Sequence, residues 1–113
     1  MSDCLFCKIA EKKIPAKIEF ENDAVIAIKD INPQAPTHLL VIPKKHLGMV
    51  NEAQKEDESM LGSLLLEARN LAKANGIESG YRLVINNGAE AGQTVFHIHL
   101  HLLGGRPMTW PPG

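Results

Sequence analysis

Three of the five histidines, His97, His99 and His101, alternate with Ile98, Leu100 and Leu102. Along an extended strand successive side chains point to opposite faces, so three imidazoles would share one face and three aliphatic groups the other. Packing accounts for the aliphatic face. A solvated strand face draws on Thr, Lys, Glu and Ser, which leaves a metal site or imidazole chemistry on a substrate. Histidines two apart can share a zinc ion that keeps an open position for water. A hydrolytic zinc centre usually adds a carboxylate base, yet the nearest upstream carboxylate is Glu90.

The segment ahead of the histidines favours imidazole chemistry. Asn87-Gly88-Ala89-Glu90-Ala91-Gly92-Gln93-Thr94 brings two glycines and a hydroxyl to the start of the histidine run. Glycine lets backbone N–H groups approach an anion closely, and Thr94 adds a donor, so the pattern suits a phosphate held beside a nucleophile. Neither the phosphate loop of ATPases nor the glycine pattern of dinucleotide-binding enzymes occurs. A second constellation is Cys4-x-x-Cys7, the only two cysteines. That spacing suggests metal or redox chemistry rather than a structural disulfide. No βαβ pattern of the thioredoxin kind precedes Cys4, and zinc held by two thiolates and two histidines is the more natural completion. The plainer alternative is a pair of reduced thiols packed near the surface.

The elements that must position these groups follow from periodicity. Residues 5–13 suit a short helix ending before Ile14-Pro15. Residues 17–20 and 24–28 suit a hairpin across Asn22-Asp23, residues 30–36 a proline-containing loop, and residues 37–42 an apolar strand. From Lys55 to Asn75, Met60, Leu61, Leu64, Leu65, Ala68, Leu71 and Ala72 make one apolar stripe on a long helix stopped by Gly76. Residues 81–86 and 94–103 suit strands, and residues 104–113 an irregular tail with three prolines and the only Trp. Strands joined by short turns around one long helix give an α+β fold on an antiparallel sheet.

Composition narrows the function classes. The 113 residues, 44% hydrophobic and 22% charged, are enough for one domain with a proper core. Twelve basic against thirteen acidic side chains leave a net charge of -1, without the basic excess of a nucleic-acid binder. No apolar stretch approaches the ~20 residues of a membrane span, and the N-terminus lacks a signal-peptide pattern, so the expectation is a cytoplasmic protein.

His97-Ile-His99-Leu-His101-Leu-Leu resembles the His-x-His-x-His-x-x motif of the histidine triad (HIT) superfamily. Asp30-Ile-Asn-Pro-Gln-Ala-Pro-Thr-His38, Val41-Ile-Pro-Lys-Lys-His46, Gly80-Tyr-Arg, Leu102-Leu-Gly-Gly-Arg and the closing Trp110-Pro-Pro-Gly are similar to its Hint branch. The resemblance spans nearly the whole chain. It implies a HIT domain over residues 1–113 with an antiparallel five-stranded sheet, one long helix and one short helix. It also implies a homodimer whose two sheets join, with the tail 104–113 near the interface. The implied activity is hydrolysis of purine nucleoside phosphoramidates, the branch's reaction.

Residue by residue, the resemblance makes His99 the nucleophile, His101 a contact to phosphate or leaving group, and His38 a proton relay. Backbone N–H groups near Gly92 and Gln93 and the hydroxyl of Thr94, a position often Ser in the branch, would meet phosphoryl oxygens. Asp30 would accept hydrogen bonds from the ribose, with Ile31 beside it. Phe6, Ile9 and Ile28 would hold the purine, and Asn86 would make a polar contact near the phosphate. The best-known animal members lack the cysteine pair; relatives that have it imply zinc held by Cys4, Cys7, His46 and His97 in a closed structural site. His97 would then be a ligand rather than a relay member. Hydrolysis of dinucleoside polyphosphates, nucleotidyl transfer, or a nucleotide-responsive scaffold role are the competing functions.

Overall fold

Five strands form one antiparallel sheet in the order β1-β2-β3-β5-β4: β1 (Ile18–Glu21), β2 (Val25–Lys29), β3 (Thr37–Pro43), β4 (Tyr81–Val84) and β5 (Leu100–Gly104). Helix α1 (Leu5–Ala10) lies on one face of the sheet and α2 (Glu58–Ala74) on the other. The computed structural model describes residues 3–113. The α+β architecture matches the expectation, as do the long and the short helix.

The β1–β2 hairpin turns where asparagine chemistry predicts. Asn22 Oδ1 accepts from the N–H groups of Ala24 and Val25 at 2.9 and 2.8 Å, so the side chain closes the turn. Strand alternation then sorts the core. Leu39 and Val41 join Leu100 and Leu102 under Leu64, Ala68, Leu71 and Ala72 of α2. Leu40 and Ile42 join Ile26 and Ile28 under Phe6 and Ile9 of α1. The histidines lie on this second face.

Several boundaries differ from the sequence reading. Helix α1 stops at Ala10, and Lys12 adopts a positive φ of 65°, which carries the chain away from the helix before Ile14-Pro15 is reached. Residues 55–57 form a separate 3₁₀ turn, and α2 proper starts at Glu58. Strand β4 ends at Val84, not at residue 86. The histidine strand is the largest change: only residues 100–104 are β-strand, and 94–99 run outside the ladder. Leu100 pairs with Val41, and β3 ends two residues later at Pro43, which has no N–H to extend the pairing. Residues 94–98 instead lean on the loop after β3, where the Ile98 N–H donates to Leu47 O at 2.7 Å.

That loop is braced against α2. Asp57 accepts from the Gln54 N–H at 2.8 Å and from Lys45 Nζ at 2.6 Å, and both contacts hold its carboxyl below the usual carboxylate range. Because α2 packs on the face away from the histidines, core damage there should separate stability from site geometry. Leu64 is fully buried, so Leu64→Ala should cost about 2–5 kcal/mol, read as a lower urea midpoint. The same variant should leave the imidazole NMR signals of His99 and His101 in place.

Candidate active site and metal centre

The alternation expected of the histidine run survives outside the regular strand, because Ile98, Leu100 and Leu102 all enter the α2-side core. His97, His99 and His101 therefore share the α1 face. They do not share one environment. His97 faces a cluster of sulfur and nitrogen donors, whereas His99 and His101 face a cleft.

At the first cluster, His97 is fully buried and its Nε2 lies 2.7 Å from Pro43 O. A carbonyl only accepts, so Nε2 carries the proton and Nδ1 presents a lone pair. That Nδ1 lies 3.3 Å from Cys4 Sγ, 3.5 Å from Cys7 Sγ and 3.0 Å from His46 Nδ1. His46 Nδ1 is in turn 3.4 Å from Cys7 Sγ. A tetrahedral zinc ion with bonds of about 2.3 Å to sulfur and 2.0–2.1 Å to nitrogen holds such atoms roughly 3.3–3.8 Å apart. The four donor atoms, all within 4.8 Å of one another, are compatible with zinc. Burial holds His97 below the usual imidazole range, against the Pro43 carbonyl and aided by His46 and His99.

At the second cluster the hydrogen bonds again fix the tautomers. His99 Nδ1 donates to His97 O at 2.8 Å, so its Nε2 holds a lone pair. No residue among those described engages that nitrogen, and His99 lines the cleft. The Gln34 N–H donates to His38 Nδ1 at 3.0 Å, which puts the His38 proton on Nε2. His38 Nε2 then donates to His101 Nδ1 at 2.9 Å, and the His101 proton lies on Nε2. Asp30 Oδ2 stands 3.4 Å from His38 Nε2. An unprotonated nitrogen and an N–H are thus set side by side, on rings 5.0 Å apart.

Asp30, His38 and His101 also lie close enough to share a cation. The tautomers argue otherwise. A metal on His38 Nε2 would move its proton to Nδ1, directly against the Gln34 N–H. The first cluster presents the His97 lone pair to its neighbours; this one is a chain of hydrogen bonds from the Gln34 N–H through His38 to His101.

The cleft holds about 420 Å³, within the range of small-ligand sites. Phe6, Ile9 and Ile28 form its apolar wall, with Asp30, Ile31 and Thr94 also lining it. Phe6 stands edge-on to His99, with ring centroids 4.9 Å apart. Three anticipated residues are not among those lining the cleft. Asn86 is half-buried past the end of β4, and neither Gly92 nor Gln93 lines the cleft. The Gly92 and Gln93 N–H groups donate to Ala89 O and Gly88 O inside their own loop. The buried Gln93 side chain ties that loop together, accepting from the Gly88 N–H and donating to Gly48 O and Val95 O. Among the anticipated anion donors, Thr94 is the one on the cleft.

Sequence reasoning missed Leu5, Ile14, Pro15, Lys29, Leu40 and Val95 as lining residues. Leu40 was findable, since it lies two positions after His38 on the same strand face. The main-chain partners Gln34 N–H, Pro43 O and His97 O leave no signature in residue type.

Imidazoles of the central strands β3 and β5, a lone pair fixed by the main chain and a cleft of small-ligand size together make a hydrolase-like site. A family description for the HIT domain matches residues 11–108. An uncharacterized HIT-like protein of Synechocystis is 58% identical over 98% of this chain and 97% of its own. The 14 kDa zinc-binding protein of Zea mays is 51% identical over 99% of this chain and 89% of its own. The crystal structure of a HIT family hydrolase from Legionella pneumophila superposes with a TM-score of 0.97 at 55% identity, covering 98% of this chain and all of that one. The chain belongs to the HIT domain family.

Burial holds His101 down to about 4, helped by the neighbouring charges of His99 and His38 and opposed by Asp30. Burial also lowers His38, again against Asp30. The unfolded chain takes up the His101 proton near pH 6.5, the folded chain only near pH 4. This contribution to stability is therefore complete above pH 6.5 and declines as the pH falls toward 4. His101→Asn should flatten that limb of the urea midpoint against pH curve relative to wild type. Acid loss at the cysteine cluster is common to both proteins and cancels in the comparison.

Proposed function

We propose that the protein hydrolyses purine nucleoside 5′-phosphoramidates through a nucleotidyl–histidine intermediate. The observation that carries this reading is the unprotonated His99 Nε2 beside the His101 N–H, both at the polar end of an otherwise apolar cleft. Neutral imidazole attacks without a separate base. His99 Nε2 would form a bond to the α-phosphorus as the P–N bond breaks, and the amine would leave after taking up a proton. The negative phosphoryl group favours the charged form of nearby histidines, so substrate itself raises the affinity of the His38–His101 pair for that proton. Water then attacks phosphorus, His99 leaves, and the proton lost by water restores the pair. The Thr94 hydroxyl and His101 N–H are the groups placed to meet the phosphoryl oxygens.

Purine fits the wall of Phe6, Ile9 and Ile28. Asp30 lies beside it with Oδ1 already accepting from the Asn32 N–H at 2.8 Å, which orients the carboxylate for ribose hydroxyls. His99→Asn should reduce turnover of an adenosine phosphoramidate at least a thousandfold, roughly the loss of a covalent nucleophile, while AMP binding changes little. Mass spectrometry of the wild type during turnover should find AMP on His99. Full activity of the variant, or an adduct on another residue, would reject this mechanism.

Zinc in the Cys4, Cys7, His46 and His97 cluster belongs to the same reading, as a closed site that fixes α1 to the sheet. Such an ion would supply folding energy and no open coordination position. This assigns His97 to the metal centre, since its second nitrogen is held by Pro43 O. Replacing both Cys4 and Cys7 with Ser should remove bound zinc by elemental analysis and lower the melting temperature by at least several degrees. A homodimer is also part of the reading. Strand β4 is a sheet edge, and Leu65, Leu66 and Trp110 leave apolar surface exposed for a second copy to cover.

A further inference from the structure

The His38–His101 pair depends on one main-chain group, the Gln34 N–H, in a loop with two prolines and no ladder of its own. Gln34 is nonetheless fixed on three sides. Its side-chain Nε2 donates to Asn32 O at 2.9 Å, its N–H donates to His38 Nδ1 at 3.0 Å, and its carbonyl accepts from Arg106 Nε at 3.0 Å. Arg106 comes from the far end of the chain, just after β5. Its Nη1 donates to Pro107 O at 3.1 Å, so the guanidinium is oriented from its own side as well.

Gly105 makes the same junction tight. It has φ +94°, a left-handed conformation that a side chain disfavours, and an added Cβ would come within 2.9 Å of Pro36 Cβ. The tail is also held further on, where Arg82 Nη2 of β4 donates to Thr109 O at 2.9 Å. Two independent features, a close glycine approach and an arginine hydrogen bond, therefore clamp the Asp30–Pro36 loop from the C-terminal side.

We propose that Arg106, seated by Gly105, is a positioning residue: it pins Gln34, and through the Gln34 N–H it holds His38 and His101 in the tautomers that aim an N–H into the cleft. Arg106 touches neither the cleft nor the imidazoles, so its effect passes through the loop. With its anchor removed, Gln34 can move off His38 Nδ1, and His38 is then free to carry its proton on either nitrogen. His101 Nδ1 loses its donor in the second of these states, and the donor into the cleft is no longer fixed. The consequence for turnover rests on the phosphoramidase reading; the tautomer does not.

The test is ¹⁵N NMR of the histidine side chains in the full-length zinc-loaded protein, comparing wild type, Arg106→Ala, Arg106→Lys and the control Arg69→Ala. Arg69 is an exposed arginine of α2 bonded only to its neighbour Asn70 among the described residues. In wild type and Arg69→Ala, His38 should show one protonated Nε2 and one unprotonated Nδ1. In Arg106→Ala the two signals should move toward each other, as tautomers exchange. Arg106→Lys, which can still offer one donor, should fall between. Phosphoramidate kcat/KM should drop roughly two- to tenfold in Arg106→Ala, the equivalent of one hydrogen bond. His38 signals in Arg106→Ala identical to wild type would overturn the proposal. Should that variant fail to fold, an Arg106→Lys spectrum identical to wild type would overturn it equally. Absence of turnover in the wild type would reject the phosphoramidase reading while the spectra still decide the role of Arg106.

Discussion

A single main-chain hydrogen bond, from His99 Nδ1–H to the carbonyl of His97, organises the site. It fixes the proton on the nitrogen that faces the protein and leaves the other nitrogen bare toward the cleft. The carbonyl is well placed because His97 cannot move: its ring is buried, its Nε2 is held by Pro43 O, and its Nδ1 points into the cysteine cluster. Alternation along the chain turns this one anchor into two environments, a sulfur-nitrogen cluster and a cleft. His97 and His99 share a face, but His97 meets Cys4 and Cys7 while His99 stands beside Phe6 and lines the cleft.

Helix α1 connects the two clusters. Cys4 and Cys7 bracket its first turn, and the Cys7 N–H donates to Cys4 Sγ at 3.4 Å, so the cysteine pair also caps the helix. Phe6 and Ile9, three residues apart, fall on the inward face. Phe6 meets both His97 and His99 edge-on, at 6.0 and 4.9 Å. A six-residue helix has little stability of its own. Its position, and with it the apolar wall of the cleft, depends on what holds the two cysteines and on the packing of Phe6 and Ile9.

The sequence made the sheet, both helices and the shared face of the three histidines legible, because periods of two and 3.6 are strong in β3, in α2 and from residue 97 to 102. It misjudged the length of the histidine strand. Nothing in residues 94–99 announces that Pro43 ends the partner strand opposite, which is a property of register rather than of composition. The glycine loop was read as an anion cradle, yet its N–H groups close the loop on itself. A glycine pattern shows where backbone can approach a ligand, not where the N–H groups point. The lone-pair arrangement was out of reach for the same reason: it is set by Gln34 N–H, Pro43 O and His97 O, and every residue type carries those groups.

On the proposed reading an imidazole attacks an anion, and the electrostatics of the cleft suit that requirement. A strongly cationic site would attract phosphate but do nothing to supply a lone pair, and a histidine that becomes charged loses its nucleophilic nitrogen. Here Lys29 is the one Lys or Arg lining the cleft, and its Nζ is drawn to Glu19, 3.4 Å away. Burial keeps His38 and His101 uncharged at neutral pH, so neither adds a fixed positive charge beside His99. Attraction for an anion is left to oriented dipoles, the His101 N–H and the Thr94 hydroxyl, which can meet phosphoryl oxygens without a charge of their own. The same burial would make the histidine pair responsive on that reading: it binds a proton weakly in the empty cleft and would bind it more strongly with a phosphoryl group against it. On the phosphoramidase reading such a donor meets the need of a P–N bond, since nitrogen must be protonated to leave while phosphorus must be attacked by a base.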